Sequence, residues 1–177
     1  MIFNWDKVKK EDWFSVEPMT TVSGPWPEVF NSNEVNVKIE KVHKDAIIPT
    51  YGHHDDACCD LYVVEDYLIP PGQRRLLRTG IAIEIPTGYE VQIRPRSGLA
   101  LKHGLTLVNA PGTVDAQYRN EIRLLLLNTD DGKPVSILKG DRAAQMCIKP
   151  VYKFNFTEVD KLSDSDRGQG GWGSTGK

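Results

Sequence analysis

Between Val35 and Phe156 turn-forming residues recur so closely that a long helix has no room to form. Pro70-Pro71-Gly72, Pro86-Thr87-Gly88 and Ala110-Pro111-Gly112 punctuate the chain, and the runs between them are short and rich in β-type residues. Val35, Val37 and Ile39 alternate with Asn36, Lys38 and Glu40, which marks a half-buried strand. Further runs lie at 61–64, 76–77, 81–85, 89–94, 135–138, 145–148 and 151–156. This spacing predicts an all-β sandwich or barrel without internal repeat or second domain. One internal helix is expected over 98–103, opened by Ser97 as a cap and closed by Gly104.

The stretch from Leu105 to Arg119 is the chemically richest. An apolar run reaches Asn109, breaks at Ala110-Pro111-Gly112, and gives way to Val114, Asp115 and Tyr118. A second apolar run follows at 122–127, so the whole is expected to form a hairpin. Proline presets its own φ and glycine accepts a left-handed backbone, so the turn belongs at Pro111-Gly112. Such a tip would offer backbone N–H and C=O groups to a small planar ligand, with Asp115 acting on a nearby water.

Composition narrows the function. A formal charge of -2 over 177 residues gives no basic field, so nucleic-acid binding is not expected. The first residues lack the apolar run of a signal peptide, and no stretch reaches the roughly 20 apolar residues that span a bilayer. A cytoplasmic protein is expected. The segment His53-His54-Asp55-Asp56-Ala57-Cys58-Cys59-Asp60 has metal-binding residue types but not the ligand spacing of structural zinc. Adjacent cysteines in a strand point to opposite faces, so one is expected in the core and the other at an interface.

The two ends differ from the middle. Residues 1–34 hold Trp5, Trp13 and Trp26 with several prolines and no sustained period; a short helix over 7–14 is conceivable. They read as an arm that packs its aromatics on the body, on a neighbouring subunit or on a protein partner. Residues 164–177 are glycine-rich and carry Arg167, Trp172, Ser174 and Thr175. Glycines let backbone N–H groups wrap phosphate oxygens, arginine contacts them in two-pronged fashion, and tryptophan covers a ring.

Five segments in order resemble the motifs of the homotrimeric dUTP pyrophosphatases (dUTPases): 56–62, 95–100, 112–119, 141–146 and 167–176. The resemblance covers residues 35–177 and implies a jelly-roll β fold with 1–34 as an extension, 35–163 as the core and 164–177 as a lid. It further implies a homotrimer whose active sites are shared between subunits and require Mg²⁺. The reaction implied is water attack on the α-phosphorus of dUTP, giving dUMP and pyrophosphate, which keeps uracil out of DNA.

Carried onto this chain, the resemblance makes Asp115 the general base and sets Tyr118 against the deoxyribose. Asn109 with Gly112, Thr113 and Val114 would pair with the uracil edge. Arg96, Ser97, Gly98 and Gln145 would hold phosphate oxygens, and Asp60 would reach Mg²⁺ through water. From the lid, Arg167, Ser174 and Thr175 would hold the γ-phosphate, with Gly171 and Gly173 beside Trp172 stacked on uracil. Arg123 is placed near the ligand, and Arg142 fits a ligand-binding or a structural role equally well.

The chain departs from the family pattern at Cys58 and Asn120, both usual glycines, and at Trp172, a usual phenylalanine. Cys58 is expected to shift the first motif's backbone, and Asn120 to tolerate a left-handed one. Two other readings are a deoxycytidine triphosphate deaminase-like enzyme of the same fold and a dUTP-binding regulatory sensor. Release of ammonia, of pyrophosphate, or of neither separates the three.

Overall fold

The computed structural model describes residues 34–171. The arm at 1–33, including the helix considered over 7–14, lies outside the described residues, as do Trp172, Gly173, Ser174 and Thr175. Strands β1 (Lys38–Lys41), β2 (Cys59–Tyr62), β3 (Tyr67–Ile69), β4 (Arg74–Arg78), β5 (Ile81–Glu84) and β6 (Tyr89–Arg94) precede helix α1 (Ser97–His103). Strands β7 (Leu105–Leu107), β8 (Gly112–Asp115), β9 (Arg123–Asn128), β10 (Val135–Ile137) and β11 (Arg142–Pro150) follow it. The all-β expectation with one short helix holds.

The strands pair in the orders β1-β5, β10-β3, β2-β11-β6-β8 and β4-β9-β7. Every pairing is antiparallel. Alternation explains which face is buried: in β8 Gly112 and Val114 point inward while Thr113 and Asp115 face out. In β9 Leu124, Leu126 and Asn128 are buried. Leu61, Ile69, Leu77, Ile81, Leu105 and Ile122 complete the centre of one core.

Two buried polar side chains sit in that core without a solvation deficit. Asn128 donates through Nδ2 to Ile69 O at 3.0 Å and Lys133 O at 2.8 Å, and its Oδ1 accepts from Asp130 N at 2.9 Å. Thr79 donates its hydroxyl to Ile122 O. Gly80 is required by space as well as by conformation. Its φ is 69°, and a Cβ there would stand 2.7 Å from His43 Cβ and 2.9 Å from Val64 Cγ1.

The central hairpin differs from expectation. β7 and β9 do pair, with Leu107 opposite Leu126. The residues between them leave that sheet, and β8 joins β6 instead, Val114 opposite Val91. Gly112 is not left-handed; the Ala110–Pro111 bond is cis, and Gly112 opens β8. Asn120 is not left-handed either, because no described residue other than glycine has positive φ.

Ser97 is the first residue of α1 rather than its cap. Arg96 takes the cap position in extended conformation without a side-chain cap bond, and Gly104 closes the helix at φ 60°. The run at 151–156 is not a strand: β11 ends at Pro150, and the chain beyond is exposed and irregular to Gly171. Val151 N donates to Gly88 O at 2.8 Å, but among the described residues no ladder pairing continues past Pro150. Among the described residues no helix is long and apolar enough to cross a membrane.

Candidate active site

The sheet order brings the phosphate-type residues together. β11 lies between β2 and β6, so Gln145 stands opposite Asp60 on one side and Arg94 on the other. Directly after Arg94 the chain turns through Pro95 and Arg96 into α1, which carries Ser97 and Gly98 to the same edge. The result is a polar cleft of about 350 Å³ lined by Asp60, Arg96, Ser97, Gly98, Arg142 and Gln145. Gly98 leaves open space where a side chain would stand. Ala100 N bonds Arg96 O, so the N–H groups ahead of it begin a helix and have no intrahelical acceptor.

Asp60 is held between two guanidinium groups. Arg96 Nε lies 2.9 Å from Oδ1, and Arg142 Nη1 donates to Oδ2 at 3.0 Å. Arg96 also donates to Arg142 O at 3.0 Å, which ties the two arginines together. Gln145 Nε2 donates to Pro95 O at 2.9 Å, fixing the turn into α1. The cleft thus gathers two guanidinium groups and the Gln145 amide beside Asp56 and Asp60.

Arg142 reaches this face because of a bulge. The register places Arg142 opposite Tyr62 but Ala144 opposite Leu61, so Ala143 is an extra residue in β11. Without it, strict alternation back from Gln145 would aim Arg142 at the core.

The donor set was tested for Mg²⁺. Each Asp60 oxygen already accepts from an arginine, and each retains a further lone pair. Such a carboxylate suits a contact through metal-bound water, the usual manner for Mg²⁺ carried on phosphates. Among the described residues no three His, Cys, Asp or Glu side chains cluster as a metal cage. The segment 53–60 instead lends His53, Asp56 and Cys58 to the cleft wall. Sequence reasoning weighed these three for zinc and missed them as cleft residues.

Both Cys58 and Cys59 are half-buried, and it is Cys147 that is buried. The Cys59 thiol donates to Met146 O, and burial pushes it up to about 11.

A second cleft, about 170 Å³, is lined by Asn109, Gly112, Thr113, Val114, Tyr118 and Arg123 over the apolar side chains of Ile93, Leu107 and Ile122. All six residues expected near a nucleoside are therefore at one place. A Cβ at Gly112 would crowd Asn109 Nδ2 at 3.1 Å. The turn after β8 is tied by Tyr118 N donating to Asp115 O and by the Tyr118 hydroxyl donating to Glu121 O, both at 3.0 Å.

Glu121 anchors this corner. It accepts from Arg78 Nε at 3.0 Å, Gly80 N at 2.8 Å and Arg123 Nε at 3.3 Å. Burial works to raise its carboxyl, but Arg78, the Gly80 N–H and Arg123 together hold it below its ordinary value. Sequence reasoning missed Glu121, whose partners Arg78 and Gly80 lie far away in the chain.

Asp115 and the tail stand apart from both clefts. Asp115 ends β8 with its side chain exposed, and its carboxylate has no hydrogen-bond partner among the described residues. Arg167 is exposed in a local turn, its Nε donating to Gly170 O at 2.8 Å, and Gly171 is exposed beside it. The two clefts share no lining residue.

Comparison with known proteins gives a consistent result. A dUTPase family model matches residues 44–176. The chain is 56% identical over 142 residues to the deoxyuridine 5'-triphosphate nucleotidohydrolase of Thermobifida fusca, covering 80% of this chain and 79% of that protein. It is 52% identical over 142 residues to the protein of the same name from Clostridioides difficile, covering 80% and 98%. A mutant dUTPase of Staphylococcus bacteriophage 80alpha with dUpNHpp superposes at TM-score 0.73 and 25% identity, over 80% of this chain and 99% of that one. A mutant dUTPase from phage phi11 of S. aureus, described with a structural Mg(II) ion, shares the fold at TM-score 0.66 and 21% identity, over 73% and 99%.

Proposed function

The chain belongs to the dUTPase family, and on that premise we propose that it hydrolyses dUTP to dUMP and pyrophosphate by water attack on the α-phosphorus. The observation that carries the reading is the pair of clefts, one apolar-floored beside Asn109 and Tyr118, the other polar around Arg96, Ser97 and Gln145.

The nucleoside half uses shape and hydrogen bonding. Asn109 and the backbone of 112–114 pair with the uracil edge, and the Tyr118 ring lies against the deoxyribose, where a 2′-hydroxyl would collide. A site built to hydrogen-bond one edge rejects an analogue lacking it by about 10⁴–10⁵. Arg123, steadied by Glu121, borders the same cleft.

In the phosphate half, Ser97, the Gly98 N–H and Gln145 bind phosphate oxygens while Arg96 supplies charge. Mg²⁺ bound to the triphosphate neutralises charge on its oxygens, and Asp60 is the residue that would hold it, through water. Asp115 orients the attacking water and takes its proton, its exposed carboxylate at the end of β8 being open to a water.

The active unit is a homotrimer in which one subunit's nucleoside cleft completes another's phosphate cleft. Support comes from the separation of the two clefts, from Asp115 bordering neither, and from the tail. Tyr152, Phe154, Phe156 and Leu162 are each at least 73% exposed, far more apolar surface than a lone chain ordinarily leaves in water. The tail carries Arg167 and Gly171, and beyond them Trp172, Gly173, Ser174 and Thr175, as a lid over a site. Residues 1–34 serve as an arm on the trimer or on a protein partner.

Pyrophosphate release from dUTP, dCTP, dTTP and UTP with Mg²⁺ tests the function. Turnover of dUTP alone is expected. Binding of dUTP without release would favour the sensor reading, and ammonia from dCTP the deaminase.

A further inference from the structure

One thiol on the wall of the phosphate cleft and one buried behind it are placed as partners. β2 and β11 run antiparallel with Asp60 opposite Gln145 and Cys59 opposite Met146, and the same register carried one residue past the start of β2 sets Cys58 opposite Cys147. Facing residues of an antiparallel pair have Cα atoms about 4.5–5.5 Å apart, within the range that a disulfide spans. Burial, and after it the nearby Cys147, push the Cys58 thiol above its ordinary value, and both cysteines are free thiols. Cys59 is one residue along, so it projects from the opposite face, where it bonds Met146 O.

The flanking geometry ties this pair to the cleft. Cys58, immediately before β2, borders the same cleft as Asp60, and Cys147 and Gln145 share one face of β11. Cys58 lines the cleft itself, whereas Cys147 is 6% exposed. An entering reagent therefore meets Cys58 first and Cys147 behind it, the order of an attacking and a resolving thiol.

We propose that Cys58 and Cys147 form a reversible intrachain disulfide by exchange with a low-molecular-weight disulfide, and that the bond retunes the phosphate cleft. The Cys58 sulfur attacks one sulfur of the small disulfide, breaking its S–S bond and releasing one small thiol, which takes the proton. Cys147 then attacks Cys58 Sγ in the mixed disulfide and releases the second small thiol with the second proton. Two protein thiols are oxidised and one small disulfide is reduced to two thiols. The new bond clamps the chain just before β2 to β11, close to Asp60 and Gln145. The effect on turnover rests on the phosphate-cleft reading above; the exchange chemistry does not.

The test treats the full-length protein with oxidised glutathione, counts thiols after denaturation and maps the linked peptides under non-reducing conditions. Reactive thiols should fall from three to one, the pool being Cys58, Cys59 and Cys147. Cys59→Ser should still lose both remaining thiols, while Cys58→Ser and Cys147→Ser should form no intrachain bond. KM for dUTP should rise several-fold on oxidation and return on reduction, with no such change in Cys147→Ser. A Cys58–Cys59 bond, a bond between chains or an unchanged thiol count would overturn the pairing. A mapped Cys58–Cys147 bond with unchanged KM would overturn its coupling to the cleft. A preparation without dUTP turnover but with the mapped bond would fail the enzyme reading and leave the pairing supported.

Discussion

Arg142 donates to Asp60 across the β11–β2 pair at 3.0 Å, a contact that exists because the extra residue Ala143 turns Arg142 out of the core. Arg96 closes on the other carboxylate oxygen at 2.9 Å. Replacing Asp60 by Asn removes the charge that orders both arginines and the outer contact proposed for Mg²⁺. Half-saturating Mg²⁺ for dUTP turnover is expected to rise about 10–100-fold, the usual scale for losing an outer partner of a metal. Titrating Mg²⁺ in both proteins checks this; an unchanged requirement would remove Asp60 from the metal's surroundings.

Asp115→Asn keeps the shape at the end of β8 while deleting the proposed base. kcat is expected to drop about 10²–10⁴-fold, with binding of a non-hydrolysable dUTP analogue kept within a few-fold. Single-turnover pyrophosphate release alongside calorimetric binding separates the two. Loss of binding with kcat intact would assign Asp115 to positioning of the nucleoside instead.

Gly80→Ala should destabilise the fold by about 2–4 kcal/mol, combining overpacking with the cost of a left-handed backbone for a residue bearing Cβ. The new methyl group would meet His43 Cβ at 2.7 Å, and neither backbone nor core can yield cheaply. Urea unfolding of the two proteins at equal concentration gives the measurement. Gly88→Ala provides the contrast: it also has positive φ, but no atom lies within 4 Å of the added methyl group, so about 1–2 kcal/mol is expected from conformation alone.

Glu121 makes stability depend on pH in a defined direction. Its carboxyl is held below the ordinary 4.5 in the folded protein, so its contribution is complete above that pH and is lost as pH falls through the folded-state value. Glu121→Gln should lower the urea midpoint at neutral pH, and the two proteins should converge in acid. Parallel curves across that range would show that the carboxylate charge is irrelevant to the corner.

Much of this was legible before any coordinates. Alternating runs and Pro-Gly breaks identified the β class, and the short helix fell within one residue of its expected start. The residues expected around a nucleoside, from Asn109 to Arg123, do line one cleft, since most of them lie within one local turn. Other features were not legible. The hairpin was misassigned because local pattern cannot say which of two sheets receives β8. Glu121 escaped notice because its partners Arg78 and Gly80 are more than 40 residues away.

The sequence by itself determined which residues face in or out along most strands, because side-chain alternation is a property of the extended backbone. It also determined the chemical types available to a nucleotide: a base, amides, arginines and glycine-rich backbone. Tertiary structure decided what those types meet. Asp60, Arg96, Arg142 and Gln145 come from separate segments and converge because β11 inserts between β2 and β6. The bulge at Ala143 then selects the face that Arg142 occupies. A period of two is local, whereas strand order and register depend on which distant apolar faces bury each other.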